Sequence, residues 1–332
     1  MRKYKIILRA DAGPGIGMGH FTRTLALAEI LNNEFECIFA TRKPNSYQLE
    51  EMKCICQKSI SLSGNNNHYN EFLNHLTGQE IVVLDNYYYD TSYQKHIKDL
   101  GCKLVCIDDI HDKHYVADAV INHAEGLKAE EFSVEKYTRL YLGYNYAMLR
   151  KAFLSFSEYK KKTIDLMICI GGADPADISK LIVDLVKTEL PDINFAVLLG
   201  NAYKGRLLQY RIPGLLIING AGSDKVAELM QKSVLGIFPA STIAIEAIAT
   251  RLPFLVGYFV DNQYKIYNGI VENELAVPID DLSKIDKKQI IQNIKKILYS
   301  ESIRKRISKN QQNILDKKSP ERLLKIFKTL KC

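Results

Sequence analysis

The stretch Arg9-Ala10-Asp11-Ala12-Gly13-Pro14-Gly15-Ile16-Gly17-Met18-Gly19-His20 joins an apolar run, Tyr4 to Leu8, to apolar residues spaced at Leu25, Ala28 and Leu31. The run reads as a β-strand and the later spacing is helical, so the stretch is a strand-to-helix turn with glycines at alternate positions. Such a turn lets backbone N–H groups approach a ligand, and the helix end behind it favours anionic groups such as phosphate. His20 opens the helix, where the positive end of the dipole disfavours an imidazolium. Two readings fit: a tight turn with a first-turn histidine, or a phosphosugar or nucleotide site with a neutral base at its mouth. The common nucleotide loops do not fit. G-x-G-x-x-G requires glycine at Met18 or His20, and a P-loop requires Gly-Lys-Ser/Thr.

Working outward, short β-branched runs alternate with amphipathic helical patterns, which implies parallel α/β layers. Strands are predicted at Tyr4–Leu8, Glu36–Ala40, Ile81–Leu84, Lys103–Ile107, Ala119–Ile121 and Arg139–Leu142, with helices at Phe21–Leu31, His68–Leu76 and Ser92–Leu100. A polar, lysine-rich interval from Ser155 to Thr163 reads as a linker. The pattern restarts with a strand at Ile164–Ile170, the turn Gly171-Gly172-Ala173-Asp174-Pro175 and a helix from Asp177 to Glu189. Further strands follow at Phe195–Leu199, Leu215–Ile218, Val234–Phe238 and Phe254–Val256. Both halves place a glycine-rich turn after their first strand, although no sequence repeat is visible. The expected fold class is therefore α/β, with two facing doubly wound, Rossmann-type domains and a cleft between the carboxyl ends of their strands. The expected domains are residues 1–155 and 163–315, followed by a C-terminal helix at 316–332.

A chain of 332 residues supports about two domains, and 47% hydrophobic with 25% charged residues is ordinary for a soluble protein. The first apolar segment is too short for a signal peptide or a membrane span, so a cytoplasmic protein without a stable membrane anchor is expected. Seven scattered cysteines (Cys37, Cys54, Cys56, Cys102, Cys106, Cys169, Cys332) suit reduced thiols better than a disulfide framework, and their spacing matches no zinc site. No structural metal is expected from that spacing. From Lys284 onward there are 15 Lys or Arg against 4 Asp or Glu, a local +11 within a net charge of +7, which leaves −4 for the rest. That tail lacks interleaved aromatics, and its apolar residues recur at helical spacing. It reads as the solvated face of amphipathic helices rather than a nucleic-acid surface.

Three further segments carry chemistry. Pro239-Ala240-Ser241-Thr242-Ile243-Ala244-Ile245-Glu246 follows a predicted strand. Ser241 and Thr242 can cap the next helix and leave its early N–H groups for a phosphate, while Glu246, one turn on, can accept two hydrogen bonds from ribose hydroxyls. An ordinary N-cap with a solvent-facing glutamate fits the same residues. Asp261-Asn262-Gln263 offers amides for a sugar or base, or a plain helix cap. Leu84-Asp85-Asn86-Tyr87 and Asp108-Asp109 end strands on the side where α/β ligands bind. The second pair is read as loop capping in preference to a magnesium site. No G-x-S-x-G elbow and no H-E-x-x-H spacing occur.

As an ordered set these residues resemble the UDP-sugar hydrolases of the pseudaminic acid pathway, which act on UDP-2,4-diacetamido-2,4,6-trideoxy-β-L-altrose. That family is similar to the GT-B glycosyltransferases, including the lipid II N-acetylglucosaminyltransferase. The resemblance covers most of the chain. It runs through Arg9-Ala10-Asp11 with Gly17-x-Gly19-His20, Asp85-Asn86-Tyr87-x-x-Asp90, Ile107-Asp108-Asp109, and Leu142-Gly143-x-x-Tyr146-Ala147-x-Leu149-Arg150. It continues through Gly171-Gly172-x-Asp174-Pro175, Ser241-Thr242-x-x-x-Glu246 and Asp261-Asn262-Gln263. Three departures stand out: Ile245 where a bulky aromatic is common, a glycine-rich Gly13-Pro14-Gly15-Ile16, and Asn122-His123 in place of Asn-Gln.

The resemblance implies that His20 is the catalytic residue, activating a water that displaces UDP from the anomeric carbon with inversion. It implies substrate contacts at Arg9, Asp11, Gly17, Gly19, Tyr87, Arg150, Asn262 and Gln263. UDP contacts are implied at Gly171, Gly172, Asp174, Ser241, Thr242 and Glu246. The resemblance also implies no metal and no cofactor; the expected partner is a UDP-sugar, with no nucleic acid, and the expected state is a monomer. A GT-B glycosyltransferase using an acceptor hydroxyl, or a non-catalytic sugar-nucleotide sensor, are the rival readings.

Overall fold

The computed structural model describes residues 3–13, 16–155, 161–172, 174 and 176–331. Pro14, Gly15, Ala173, Pro175, Cys332 and most of the expected linker lie outside the described residues. The chain divides into two compact units, residues 1–151 with 317–332, and residues 152–316.

The first unit begins β1 (Tyr4–Ala10), α1 (Gly19–Leu31), β2 (Phe35–Arg42), α2 (Ser46–Ile55), β3 (Lys58–Leu62) and α3 (His68–Leu73). It continues β4 (Ile81–Asp85), α4 (Thr91–Asp99), β5 (Lys103–Ile107), β6 (His114–Tyr115), β7 (Ala119–Asn122), β8 (Ser133–Val134) and β9 (Arg139–Leu142). Seven strands form one sheet in the order β3-β2-β1-β4-β5-β7-β9, every pair parallel. The side-chain period of two sorts β1 between the two faces. Ile6, Leu8 and Ala10 join one core with Leu25 and Leu31 of α1, while Ile7 joins the other with Val82, Leu84 and Ile97. Arg9 points to the Ile7 side, and its guanidinium lies 5.9 Å from the Phe72 ring centre and 5.6 Å from that of Tyr89.

After α5 (Lys151–Leu154), the second unit runs β10 (Ile164–Ile168), α6 (Ile178–Glu189), β11 (Phe195–Leu199), β12 (Leu215–Asn219), α7 (Ser223–Lys232) and β13 (Ser233–Pro239). It ends α8 (Thr242–Ala249), β14 (Phe254–Tyr258), α9 (Tyr264–Glu272), β15 (Val277–Asp281), α10 (Lys287–Leu298) and α11 (Glu301–Ile314). Its parallel sheet has the order β12-β11-β10-β13-β14-β15. The outer strand β15 carries Pro278, a register shift opposite Val256 and Gly257, and Asp280 at φ +51°. The last helix, α12 (Ser319–Lys331), belongs to the first unit. Its Leu323, Ile326 and Phe327 are buried among residues of β1, α1 and β2.

In each sheet the strand order reverses beside the first strand, between β1 and β4 and between β10 and β13. Loops leaving the carboxyl ends of such a pair diverge to opposite faces and open a crevice, the usual ligand position in doubly wound sheets.

Candidate functional site

His20 stands in the first turn of α1, after the β1 turn, and Asp85 ends β4, so the switch point of the first sheet brings them together. His20 Nδ1 lies 2.6 Å from Asp85 Oδ1. Burial alone would raise the Asp85 carboxyl, but Arg23 and then His20 outweigh it and hold it well below the usual carboxylate range. An ionised carboxylate only accepts, so Nδ1 is the donor of this bond, with Arg23 Nη2 also 3.0 Å from Nδ1, and Nε2 is left to an outside partner. Arg23, one turn along α1, donates to both Asp85 oxygens (Nε–Oδ2 2.7 Å, Nη2–Oδ1 2.5 Å) and to Asp109. Thr24 adds a bond of 2.7 Å to Asp85 Oδ2. Burial would raise Asp109 as well, and Arg23 keeps it low. Tyr87 donates to Asp109 at 3.0 Å and sets its ring edge-on to His20, 4.5 Å between centres. A narrow pocket opens here, lined by His20, Arg23, Asn86, Tyr87 and Asp109 among others.

Arg9 and Asp11, expected to contact substrate, are instead 0% and 1% exposed and bonded to each other through both carboxylate oxygens. Asp11 also accepts from the Arg42 backbone (2.8 Å), Arg42 Nε (2.6 Å) and the Tyr88 hydroxyl. Burial would raise its pKa, yet these bonds and the Arg9 charge lower it to about 2. The pair thus braces the carboxyl end of β1. The physical reason is the strand alternation, which turns Arg9 inward.

In the glycine-rich turn, Gly13 and Gly17 form an isolated bridge (Gly17 N to Gly13 O 2.8 Å), and Ile16 N also bonds Gly13 O, so these N–H groups are spent within the turn. The N–H groups of Gly13, Ile16 and Gly17 are therefore not available to a phosphate. A Cβ at Gly13 or Gly17 would meet nothing within 4 Å, and Gly17 has φ +79°. That open space suits a bulky neighbour. Gly19 is the first residue of α1. Arg150 stands apart from the His20 cluster, paired with Glu29 (3.1 Å) and Glu51 (2.9 Å) on α1 and α2.

At the switch point of the second sheet, Gly171 and Gly172 leave β10, and Ser241 and Thr242 leave β13. Gly171 has φ +116° and open space where a Cβ would stand, while Gly172 packs under Gly200. Asp174, expected to contact UDP, accepts from the N–H groups of Ile178 (2.9 Å) and Ser179 (2.8 Å). Its carboxylate occupies the α6 N-terminus, where a phosphate would otherwise bind. The α8 N-terminus is different: Ser241 is the N-cap residue but makes no side-chain cap. Glu246 is buried on α8 near Cys169, whose thiol is pushed up to about 12 by burial, with Glu246 and Asp174 acting in the same direction. Asn262 lies in the turn before α9, while Gln263 folds its side-chain oxygen back onto Phe259 N at 3.0 Å. The carboxyl edge of this sheet thus gathers Gly171, Asp174, Ser241, Thr242 and Glu246.

Asp85 and Asp109 stand, as expected from the sequence, at strand ends on the ligand side, though no contact or catalytic role was expected of them; Arg23 was not singled out at all. Arg23 had a signal, since it lies three residues from His20 on the same helix face.

No family model matches this chain. It is 24% identical over 337 aligned positions to the spore coat polysaccharide biosynthesis protein SpsG of Bacillus subtilis, covering 97% of both chains. It is 27% identical over 282 residues to an uncharacterized protein of Methanocaldococcus jannaschii, matching 80% of this chain but only 57% of that protein's length. Among solved structures it is similar to MurG of Acinetobacter baumannii (TM-score 0.62, 11% identity, 98% and 99% of the two chains covered). It is also similar to UGT89C1 of Arabidopsis thaliana complexed with UDP (TM-score 0.71, 10% identity, 99% and 100% covered). At these identities the likeness shows the fold: two Rossmann-like parallel-sheet units of the GT-B glycosyltransferase type.

Proposed function

We propose that the protein is a sugar-nucleotide enzyme that hydrolyses a UDP-activated diacetamido-trideoxy sugar at its anomeric carbon, releasing UDP and free sugar with inversion. The observation that carries this reading is the His20–Asp85 pair at the first switch point, with Nδ1 committed to a carboxylate and Nε2 left to take a proton. A water attacks the anomeric carbon from the face opposite UDP and its proton passes to Nε2. The bond from carbon to diphosphate oxygen breaks, and UDP leaves with the electron pair. Asp85 then faces the imidazolium that has formed.

UDP recognition falls to the second unit. The uncapped start of α8 offers N–H groups to the diphosphate, Gly171 lets the backbone approach it, and Glu246 accepts from the ribose hydroxyls. The UDP complexes of structural neighbours and the role printed for SpsG support a sugar nucleotide destined for a surface polysaccharide. The pseudaminic-type sugar rests on the motif resemblance.

The test is incubation with UDP-sugars in the absence of acceptor, following UDP and free sugar by NMR. Free sugar is expected from the wild type and not from His20→Ala. Turnover only after an acceptor hydroxyl is added would make the protein a transferase, and UDP binding without turnover would make it a sensor.

A further inference from the structure

Asn86 directly follows β4, is 8% exposed, and lines the same pocket as His20 and Tyr87. Neither its amide oxygen nor its amide nitrogen has a hydrogen-bond partner on the protein among the described residues. Three other polar groups of the wall are committed: Tyr115 donates to Asp108 (2.5 Å), Gln94 accepts from Val116 N (3.1 Å), and Lys113 donates to the Tyr87 carbonyl (2.6 Å); the Tyr89 hydroxyl on the same wall has no partner among the described residues. A buried polar group left unpaired is destabilising, so an amide with both ends bare calls for a small polar occupant. The cavity volume, about 10 Å³, admits one water and no sugar ring.

We propose that this cavity seats the nucleophilic water, held by Asn86 against the His20 ring. The amide oxygen accepts one water proton and the amide nitrogen donates to the water oxygen. The second water proton is left to pass to His20 Nε2 as the oxygen bonds to the anomeric carbon and UDP departs. The inference rests on the hydrolytic reading above and adds to it the residue that places the water.

Two measurements test it. A high-resolution crystal structure of the ligand-free wild type should show water density within hydrogen-bonding distance of both Asn86 amide atoms. Asn86→Leu, similar in size but without hydrogen bonds, should lower kcat by about tenfold or more with KM within about twofold. Asn86→Ser, smaller and still able to bond, should fall between Leu and wild type, and it serves if the Leu variant does not fold. A dry cavity in the wild type overturns the inference. So does a variant whose KM rises at constant kcat, because Asn86 would then be a sugar contact. If the wild type turns over and the variants lose nothing, the inference fails and the hydrolytic reading stands. If the wild type does not turn over at all, the hydrolytic reading fails and the nucleophilic role of the water goes with it.

Discussion

Asp85 has the most consequential position of any single residue. It fixes the tautomer of His20 and is itself held ionised by Arg23. Asp85→Asn keeps the shape but can present an N–H to Nδ1, which favours the wrong tautomer. Hydrolysis is expected to fall by about two to four orders of magnitude, measured as kcat alongside a circular dichroism spectrum that shows the fold intact. Arg9 tests the opposite kind of role. Because its guanidinium shares the buried Asp11 carboxylate with Arg42, Arg9→Met should cost about 1–3 kcal/mol of stability, read as a lower urea midpoint. A rise in KM with no loss of stability would restore Arg9 as a substrate contact.

At the scale of elements, the two helix starts of the second unit divide the work. Asp174 closes α6, and α8 is left open. Asp174→Ala should therefore cost about 1 kcal/mol through the lost cap while leaving the UDP dissociation constant within about twofold, measured by calorimetry. A large loss of UDP affinity at unchanged stability would show that the carboxylate serves the nucleotide after all. The strands and helices flanking both turns were legible because their apolar periods are strong: Lys103–Ile107 and Phe195–Leu199 were predicted with the bounds they adopt. Of the four margin strands, β9 and β12 were legible but β3 and β15 were not. β3 exposes most of its side chains, and Pro278 interrupts β15, so neither shows a clean alternation. α2 was also missed, although the capping box of Asn45 and Gln48 offers a signal for it. The His20 turn was recognisable, but its partners Asp85 and Asp109 come from 65 and 89 residues further along the chain. Only the strand order makes them neighbours.

For the molecule as a whole, two buried histidines, His68 and His123, make acid a stress. Burial first, and then the Arg23 charge, lower the pKa of His123 to about 4; burial and then Arg9 do the same for His68. In the unfolded chain both take up a proton near 6.5, so between there and about 4 the unfolded state binds more protons than the native one. Stability is therefore complete above about pH 6.5 and falls as the pH falls. The His123 share is about 3 kcal/mol by pH 4. His123→Gln, the residue that the resembling family places there, should flatten that part of the decline in urea titrations at pH 7 and pH 5.

The margin that hid β15 from the sequence also protects the protein from itself. A free sheet edge normally invites another chain to add a strand, but Pro278 has no N–H to offer. The register shift and the left-handed Asp280 bend the line of the remaining donors and acceptors. Asp280 and Asp281 add negative charge at the same rim. The feature that weakens the strand as a pattern makes it a poor template for self-association, so this flank of the second sheet resists edge-to-edge aggregation at high concentration.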